Sequence, residues 1–325
     1  MQVELPYGEG TLSAALPART RVVSAGEAVA LPPVEDLVGA VGEALVAPRG
    51  LPRIRELVAS SARVTIAFDD ATVASYGPIR GVAIKAVLEE LEAAGVARAN
   101  VRLLCANALH RKLRPAELAR ILGDELVAEF GARLTCHDAE DPAQLIDLGA
   151  TPEHGYPVEI NRLVAESDLT VYVNARYNRG FNGGWKSVCV GLSTYRSIRV
   201  THTPDGMSMA VHDNRMHAVL DEMGRHLERR LGKPVFKLDT LLADPHRVAK
   251  VVAGSVAETR RELLETLGRM FPPRRALSRE RFDVLVYGVA DWSPYAVFSH
   301  VNPILTLVSS GLGYLGGLIE ALGAP

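Results

Sequence analysis

Short apolar runs alternate with helical patterns along this chain, and this alternation limits the possible folds more than any other feature. The β-rich runs are residues 64–70, 101–107, 132–138, 168–175 and 283–289. Apolar side chains at helical spacing occupy residues 79–94, 115–130 and 212–231. Gly95 and Gly232 follow two of these patterns as candidate caps, and Pro115 opens the third. We therefore expect an α/β fold with a largely parallel sheet and flanking helices.

The domain organisation is indicated by a proline- and arginine-rich stretch, FPPRRALSRER, at residues 271–281. We expect it to link a large N-terminal domain, residues 1–270, to a second domain that begins within residues 282–325. That second part is expected to be a smaller C-terminal α/β segment. Within it, residues 304–319 carry no charge. They are too short and glycine-rich for a membrane span, so a buried strand, turn and helix is expected there.

Composition excludes several classes of function. The formal net charge is −2, which gives no electrostatic basis for binding nucleic acid or an anionic membrane. The three cysteines, Cys105, Cys136 and Cys189, are widely spaced and form no CxxC pair, so neither a disulfide framework nor a zinc ribbon is indicated. The first ten residues lack the basic and apolar regions of a signal peptide. We expect a cytoplasmic protein.

Residues 181–191, FNGGWKSVCVG, place a lysine after a glycine pair and a tryptophan. A phosphate-binding P-loop requires glycine directly before its lysine, but Trp185 occupies that position here. Paired glycines indicate an unusual backbone angle or a group that approaches the main chain closely. Two interpretations of Lys186 stay open on this stretch alone: a solvated side chain in a turn, or an amine that binds an anion or reacts.

Polar residues collect where the predicted strands end, which is where ligands bind in open α/β sheets. They are Asp69, Asp70, His110, Arg111, Arg176, Lys186 and His202. Each also has a structural interpretation: Asp70 can cap a turn, and His110 can be a hydrogen-bonded structural residue. His212, His217 and His226 lie in or near one helix without the spacing of a HExxH site, and we expect them to be solvated.

Several longer stretches resemble the nickel-dependent lactate racemases, which use a nickel-pincer nucleotide. These stretches are residues 5–17, 68–73, 108–118, 136–169 and 180–202. The resemblance extends over roughly the first 245 residues. Its chemically most specific part is the GGxK motif followed, sixteen residues after the lysine, by a histidine.

The resemblance implies roles for the matching residues. Lys186 matches the lysine that forms a thioamide with the nucleotide, and Gly183 and Gly184 would let the nucleotide ring lie close to the backbone. His202 matches the one histidine that binds nickel, whose other donors are two sulfurs and a carbon of the cofactor; soft donors suit square-planar nickel. Cofactor contacts are also implied for the segment after the first strand, namely Asp70, Ala71, Thr72 and Val73.

Two positions depart from the family pattern. Val73 stands where the family's D-x-T-R segment has a substrate-facing arginine. The first acid/base histidine matches His110, but the second position, ten residues before the tether lysine, holds Arg176. Arginine is a poor general base because it stays protonated, although it can clamp a carboxylate in a bidentate manner. Tyr177 and His300 are the candidates for the missing proton donor.

The resemblance also implies a reaction. A base takes the hydroxyl proton of a 2-hydroxy acid while hydride moves from the α-carbon to the cofactor and then returns to the other face of the planar 2-keto acid. Residues 291–317 lack the Tyr-Gln pair and the lysine that hold substrate in lactate-type members. We therefore expect a racemase or epimerase of a 2-hydroxy acid other than lactate, which depends on cofactor-synthesis proteins. Two alternatives stay open: another hydride transfer on a hydroxy acid, such as an oxidoreduction or redox isomerisation, and a non-catalytic cofactor-binding member.

Overall fold

The computed structural model describes residues 1–8, 10–21, 29, 31–71, 78–176, 180–203, 206, 208, 210–244, 246–270, 284, 286 and 289–290. The expected linker, 271–281, and most of the expected second domain lie outside the described residues, including the uncharged stretch within that domain. Thr72, Val73, Tyr177 and His300 also lie outside them. The roles and structures expected at those positions stay predictions.

The strands and helices are numbered along the chain. The strands are β1 (Gln2–Gly8), β2 (Gly10–Ala15), β3 (Val64–Asp69), β4 (Val101–Ala106), β5 (Leu134–Cys136), β6 (Leu145–Ala150), β7 (Pro157–Asn161), β8 (Leu169–Arg176), β9 (Val235–Asp244), β10 (Arg247–Ser255) and β11 (Val289–Ala290). The helices are α1 (Leu37–Val46), α2 (Ile54–Leu57), α3 (Ile79–Ala93), α4 (Pro115–Leu122), α5 (Asp124–Phe130), α6 (Arg162–Glu166), α7 (Lys186–Cys189), α8 (Tyr195–Ile198), α9 (Arg215–Leu231) and α10 (Val256–Met270).

A six-stranded sheet with the order β10-β9-β8-β3-β4-β5 forms the centre of the molecule. Every neighbouring pair in it is parallel except β9 and β10, which are antiparallel. The largely parallel α/β sheet expected from the sequence is therefore confirmed. After β3 the chain adds β4 and β5 on one side, and later adds β8 and β9 on the other. The boundary between β3 and β8 is thus a topological switch point, where open sheets of this kind bind ligands.

Both faces of this sheet are buried, because successive side chains of a strand point to opposite faces. Ile66 and Phe68 of β3 belong to the hydrophobic core shared with α1, α3, α4 and α5. Ala67, between them, belongs to a second core that includes residues of α7 and α9. Such burial on both faces explains why the central strands read as continuous apolar runs in the sequence.

The helical patterns are confirmed in position, with two differences at their boundaries. The helix expected over residues 115–130 is divided into α4 and α5 by Gly123, whose φ of +90° is outside the helical region. The helix expected from residue 212 begins at Arg215, because the Asn214 side chain accepts the backbone N–H of His217 and caps it. Gly95 and Gly232 adopt the positive φ angles expected of residues that end helices.

Two smaller sheets flank the main one. β6 and β7 form an antiparallel pair, and β1 pairs with β2 in an antiparallel hairpin and with β11 in parallel. Neither these sheets nor β9, β10 and α10 were predicted from the sequence. Among the helices in the part of the chain that the structure describes, none combines the length and the apolar content that a bilayer span requires.

Candidate active site

A pocket of about 90 Å³ lies at the carboxyl ends of β3, β4 and β8, beside the switch point of the sheet. Its lining includes Asp70, His110, Gly183 and Lys186. These residues come from three separate segments of the chain, and the sequence placed them at strand ends without showing that they meet. The convergence expected from the strand-end pattern is therefore present for Asp69, Asp70, His110 and Lys186, whereas Arg111 and His202 are not among the lining residues.

Asp70 and His110 form a hydrogen-bonded pair on one side of this pocket. The Nδ1 atom of His110 lies 2.7 Å from Oδ2 of Asp70, and the Asp70 side chain is only 3% exposed. An ionised carboxylate can only accept, so Nδ1–H of His110 donates to it. The neutral imidazole then carries its lone pair on Nε2, which is the tautomer a general base requires. Asp70, expected from the resemblance to contact the cofactor, is placed by the structure against the histidine.

Lys186 begins α7 and directs its amine into the same pocket. Its Nζ atom lies 3.6 Å from the centroid of the Phe181 ring. Burial lowers the pKa of Lys186 to about 7, although the charges of Asp70 and Asp69 act in the opposite direction. A substantial fraction of the amine is therefore neutral at neutral pH, whereas an ordinary lysine is almost entirely protonated. A neutral amine is a nucleophile, so this environment suits a lysine that forms a covalent bond.

The two glycines before this lysine adopt left-handed backbone angles, with φ of +77° at Gly183 and +56° at Gly184. A Cβ atom on Gly184 would lie 2.7 Å from Cδ of Arg260 and 3.4 Å from Nδ1 of His217. Those two side chains also contact the backbone of the loop. His217 Nε2 lies 3.2 Å from the Phe181 carbonyl, and Arg260 Nη1 lies 3.5 Å from the Asn182 carbonyl. Gly184 is thus required by the protein's own packing, and Gly183 by its backbone angle.

Trp185, the residue that excludes a P-loop, is a core residue. It is 4% exposed and lies against Gly224 of α9, where a Cβ atom would come within 2.0 Å of the indole ring. The indole ring therefore fixes the loop to α9.

His202 lies after α8 in a partly buried position. The hydroxyl of Thr201 donates to the Ile198 carbonyl at 2.7 Å, so its oxygen accepts Nδ1–H of His202 at 2.8 Å. This arrangement leaves Nε2 as the ring nitrogen with the lone pair. Burial lowers the pKa of His202 to about 4, and the charges of Lys186 and His110 contribute in the same direction. A neutral imidazole with a held Nδ1–H is the form that binds a metal ion.

A buried polar network, of which the sequence analysis named only Asp69, lies at the base of the pocket. Asp69 accepts the backbone N–H of Ala175 at 2.7 Å and the hydroxyl of Tyr172 at 3.2 Å, and so joins the ends of β3 and β8. Lys237 of β9, which is fully buried, donates to Oγ of Ser187 at 2.7 Å. The only signal in the sequence was the alternation of charged and apolar residues in VFKLDTLLAD, which also fits an exposed strand face.

Several other residues named from the sequence contact parts of the protein other than the pocket, or solvent. His217 and His226 were expected to be solvated, and this was wrong: they are 2% and 8% exposed, because they lie on the buried face of α9 and contact the carbonyls of Phe181 and Leu148. His212 is exposed, as expected. Arg111 forms a bidentate pair with Glu117 of α4, at 2.9 and 2.5 Å.

Two further residues expected to take part in the site are placed only by their backbones or their packing. Ala71 packs against the hydrophobic core. Arg176 is the last residue of β8 and pairs with Leu241 of β9. Their expected roles at the cofactor and the substrate stay predictions.

Comparison with known proteins gives consistent matches. A family model described as the lactate racemase N-terminal domain matches residues 7–215. The chain is 25% identical over 265 residues to a lactate racemase of Thermoanaerobacterium thermosaccharolyticum, which covers 78% of this chain and 59% of that protein. It is 24% identical over 221 residues to a lactate racemase of Lactiplantibacillus plantarum, which covers 66% of this chain and 50% of that protein. The chain thus spans between half and three fifths of the length of these relatives.

Solved structures share the fold. The lactate racemase apoprotein from Thermoanaerobacterium thermosaccharolyticum superposes with a TM-score of 0.65 at 23% identity, over 83% of this chain and 63% of that one. A protein from Thermotoga maritima superposes with a TM-score of 0.52 at 17% identity, over 72% of this chain and 58% of that one. Because the family model covers more than half of the sequence, this chain belongs to the lactate racemase N-terminal domain family.

Proposed function

We propose that this chain carries the cofactor site and one catalytic base of a nickel-pincer nucleotide-dependent racemase or epimerase, which acts on a 2-hydroxy acid other than lactate. The observation that carries the proposal is the pocket in which the Asp70–His110 pair and the Lys186 amine meet. Membership of the family supports the reaction class. The differences from the lactate-type sequence at Val73, Arg176 and residues 291–317 support a different substrate.

The residues present fit such a cofactor. Lys186 offers an amine whose pKa is lowered to about 7, so that it supplies the neutral form that a thioamide tether requires. His202 offers a neutral imidazole whose Nδ1–H is held by Thr201, as a single nickel ligand requires. When bound, the nucleotide supplies the acceptor for the hydride of the substrate α-carbon. The protein then needs to supply only one metal ligand, because the remaining donors belong to the cofactor.

The protein's own part of the reaction is proton transfer and positioning. His110 takes the hydroxyl proton of the substrate on Nε2, and Asp70 stabilises the imidazolium that forms. The buried Asp70 carboxylate also keeps the ring in one orientation. Arg176, at the carboxyl end of β8, is proposed to bind the substrate carboxylate, since its guanidinium stays charged. We propose Tyr177 or His300 as the second proton donor.

The test is a stereochemical assay of the full chain loaded with nickel-pincer nucleotide. Enantiomerically pure 2-hydroxy acids are offered one at a time, and chiral chromatography follows the product. The proposal predicts conversion of one enantiomer of a substrate other than lactate into the other. Accumulation of a 2-keto acid would instead indicate an oxidoreductase, and absence of turnover on a broad panel would contradict an enzymatic role.

Two variants identify the base in that assay. His110→Gln and Asp70→Asn should each lower kcat by about 100-fold or more, since a positioned acid–base group contributes at least that much. In Asp70→Asn the amide can donate to Nδ1 and so favour the wrong tautomer. His212→Gln removes an exposed histidine that does not line the pocket and serves as the matched control. Wild-type turnover in His110→Gln would show that His110 is not the base.

A further inference from the structure

A cluster of four buried residues, two of which line the pocket, is bonded to the helix that begins with Lys186. These residues, the Lys237 cluster, are Asn174, Ser187, Lys237 and Asp239. Lys237 Nζ lies 2.7 Å from Oγ of Ser187, 3.2 Å from Oδ1 of Asn174 and 3.2 Å from Oδ1 of Asp239. The Ser187 hydroxyl in turn donates to Oδ1 of Asn174 at 2.6 Å.

The charges of this cluster are completely removed from water. The side chains of Lys237 and Asp239 are both 0% exposed. Within the described part of the chain, neither carboxylate oxygen of Asp239 has a hydrogen-bond partner, so the ion pair with Lys237 is its compensating contact. A buried ion pair of this kind contributes little or nothing to stability compared with apolar side chains of similar volume. Stability alone therefore does not account for placing a lysine and an aspartate here.

The helix above the cluster depends on such side-chain contacts. α7 spans only Lys186–Cys189, a single turn, and an isolated turn of helix has little stability of its own. Its contacts include the Ser187 hydroxyl on the Lys237 cluster and the Trp185 ring on α9, together with the buried Val188 and Cys189 side chains in the core. Ser187 directly follows Lys186, so the contact of Ser187 sets the rotation of the turn from which the Lys186 side chain extends.

We propose that the Lys237 cluster is a positioning device for Lys186: through the Ser187 hydroxyl it orients α7 so that the amine stays in the pocket over Phe181. This inference rests on the proposed function, in which Lys186 tethers the cofactor. Asn174 and Ser187 line the pocket, whereas Lys237 and Asp239 do not, and the cluster acts on Lys186 through the backbone of α7.

The test follows the reactivity of Lys186 in the full-length protein before cofactor loading. Acetic anhydride acylates neutral amines, and peptide mass spectrometry gives the rate at Lys186 between pH 6 and pH 9. Ser187→Ala removes the bond between α7 and the cluster but leaves the Lys237–Asp239 pair intact. Lys237→Met is less suitable, because it leaves Asp239 as an unpaired buried charge, a change that costs about 3–5 kcal/mol.

Ser193→Ala is the matched control. Ser193 is also fully buried in the same segment, but its hydroxyl donates to the Glu159 carbonyl and takes no part in the cluster. Asn174→Ala is a second test variant, because it removes the strand-side partner of the Ser187 hydroxyl. It replaces Ser187→Ala in the test if that variant does not fold. Thermal unfolding of each variant is measured beside the acylation rates.

In Ser187→Ala we expect the amine to leave its buried position and to titrate about one pH unit higher, which lowers its neutral fraction at pH 7 about fivefold and moves the midpoint of the acylation profile up by about one pH unit. Loading of the nickel-pincer nucleotide, followed by intact mass, should slow by a similar factor, and Ser193→Ala should match the wild type. An unchanged acylation profile and loading rate in folded Ser187→Ala and Asn174→Ala would overturn the positioning role. If the wild type takes up no adduct while the acylation profile still shifts, the positioning role stands and the proposed cofactor does not.

Discussion

Two adjacent aspartates show how the position in the sheet sets the chemistry of identical side chains. Asp69 is the last residue of β3, and Asp70 follows it. Asp70 accepts from His110 at the pocket wall, whereas Asp69 turns inward and accepts from Ala175 and Tyr172. Burial raises the pKa of Asp69 from 3.8 to about 6, against the opposing charges of Arg80 and Lys237. The neighbouring carboxyls therefore differ in role: one orients a base, and the other joins two strands.

The raised pKa of Asp69 predicts a pH dependence of stability. Between about pH 4 and pH 6 the folded state holds a proton on Asp69 that the unfolded state has released, so this residue lowers the free energy of unfolding as the pH rises. Asp69→Asn abolishes that effect. We expect the variant to become more stable relative to the wild type between pH 4.5 and pH 7, by up to about 2 kcal/mol in denaturant unfolding.

The control for this prediction is Glu117→Gln. The hydrogen bonds from Arg111 lower the pKa of Glu117 to about 2, so its contribution to stability is gained mainly below pH 4.5 and is nearly constant above it. The stability difference between Glu117→Gln and the wild type should therefore change by less than about 0.5 kcal/mol between pH 4.5 and pH 7. Parallel pH curves for the wild type and Asp69→Asn would show that Asp69 is an ordinary carboxylate.

At this scale, the sequence predicted the residues that stand at strand ends and missed those inside strands. His110, Gly183 and Lys186 were expected to form one site because parallel strands end at a common edge. Lys237 was missed because its partner Ser187 lies 50 positions away in the chain. No local pattern reports such a contact.

At the scale of single elements, contacts with neighbours decide where short helices form. α7 and α8 are each one turn long, and α7 is held by Trp185 against α9. A periodicity search cannot detect a single turn, so neither helix was predicted. The pattern over residues 115–130 was detected. The break at Gly123 was not, because it is a change of backbone angle and periodicity describes only the side chains.

The contact between Trp185 and α9 predicts the effect of Gly224→Ala. Alanine favours a helix over glycine by about 1 kcal/mol. The added Cβ would lie 2.0 Å from the indole ring, however, and such overpacking of a rigid group costs about 1–3 kcal/mol. We expect a net loss of about 1 kcal/mol in the free energy of unfolding, together with a change in the Trp185 fluorescence spectrum.

Gly42→Ala provides the comparison. Gly42 lies within α1, and a Cβ there meets no atom within 4 Å. This variant should be stabilised by up to about 1 kcal/mol, because only the helix preference acts. If Gly224→Ala were stabilised by the same amount, the tight contact between Trp185 and α9 would be absent in solution.

At the scale of the whole molecule, the fold brings one site together from segments that are far apart in the sequence. β3 and β8 lie side by side although about 100 residues separate their first residues in the chain. Their junction places the Asp70–His110 pair beside the glycine loop of Lys186. The sequence predicted the α/β class and the edge of the sheet. The strand order, and hence the switch point, follows from packing on both faces and was found only in the structure.

The central claim is that Lys186 is the covalent attachment point of a nickel-containing nucleotide. The most direct test is the intact mass and nickel content of the full chain co-expressed with cofactor-synthesis proteins, for the wild type and for Lys186→Ala, with Lys112→Ala as control for an exposed lysine paired with Asp138. We predict a nucleotide-sized adduct and bound nickel in the wild type and in Lys112→Ala, and no adduct in Lys186→Ala. An unmodified wild-type mass without bound nickel would contradict the account, as would an adduct that persists in Lys186→Ala.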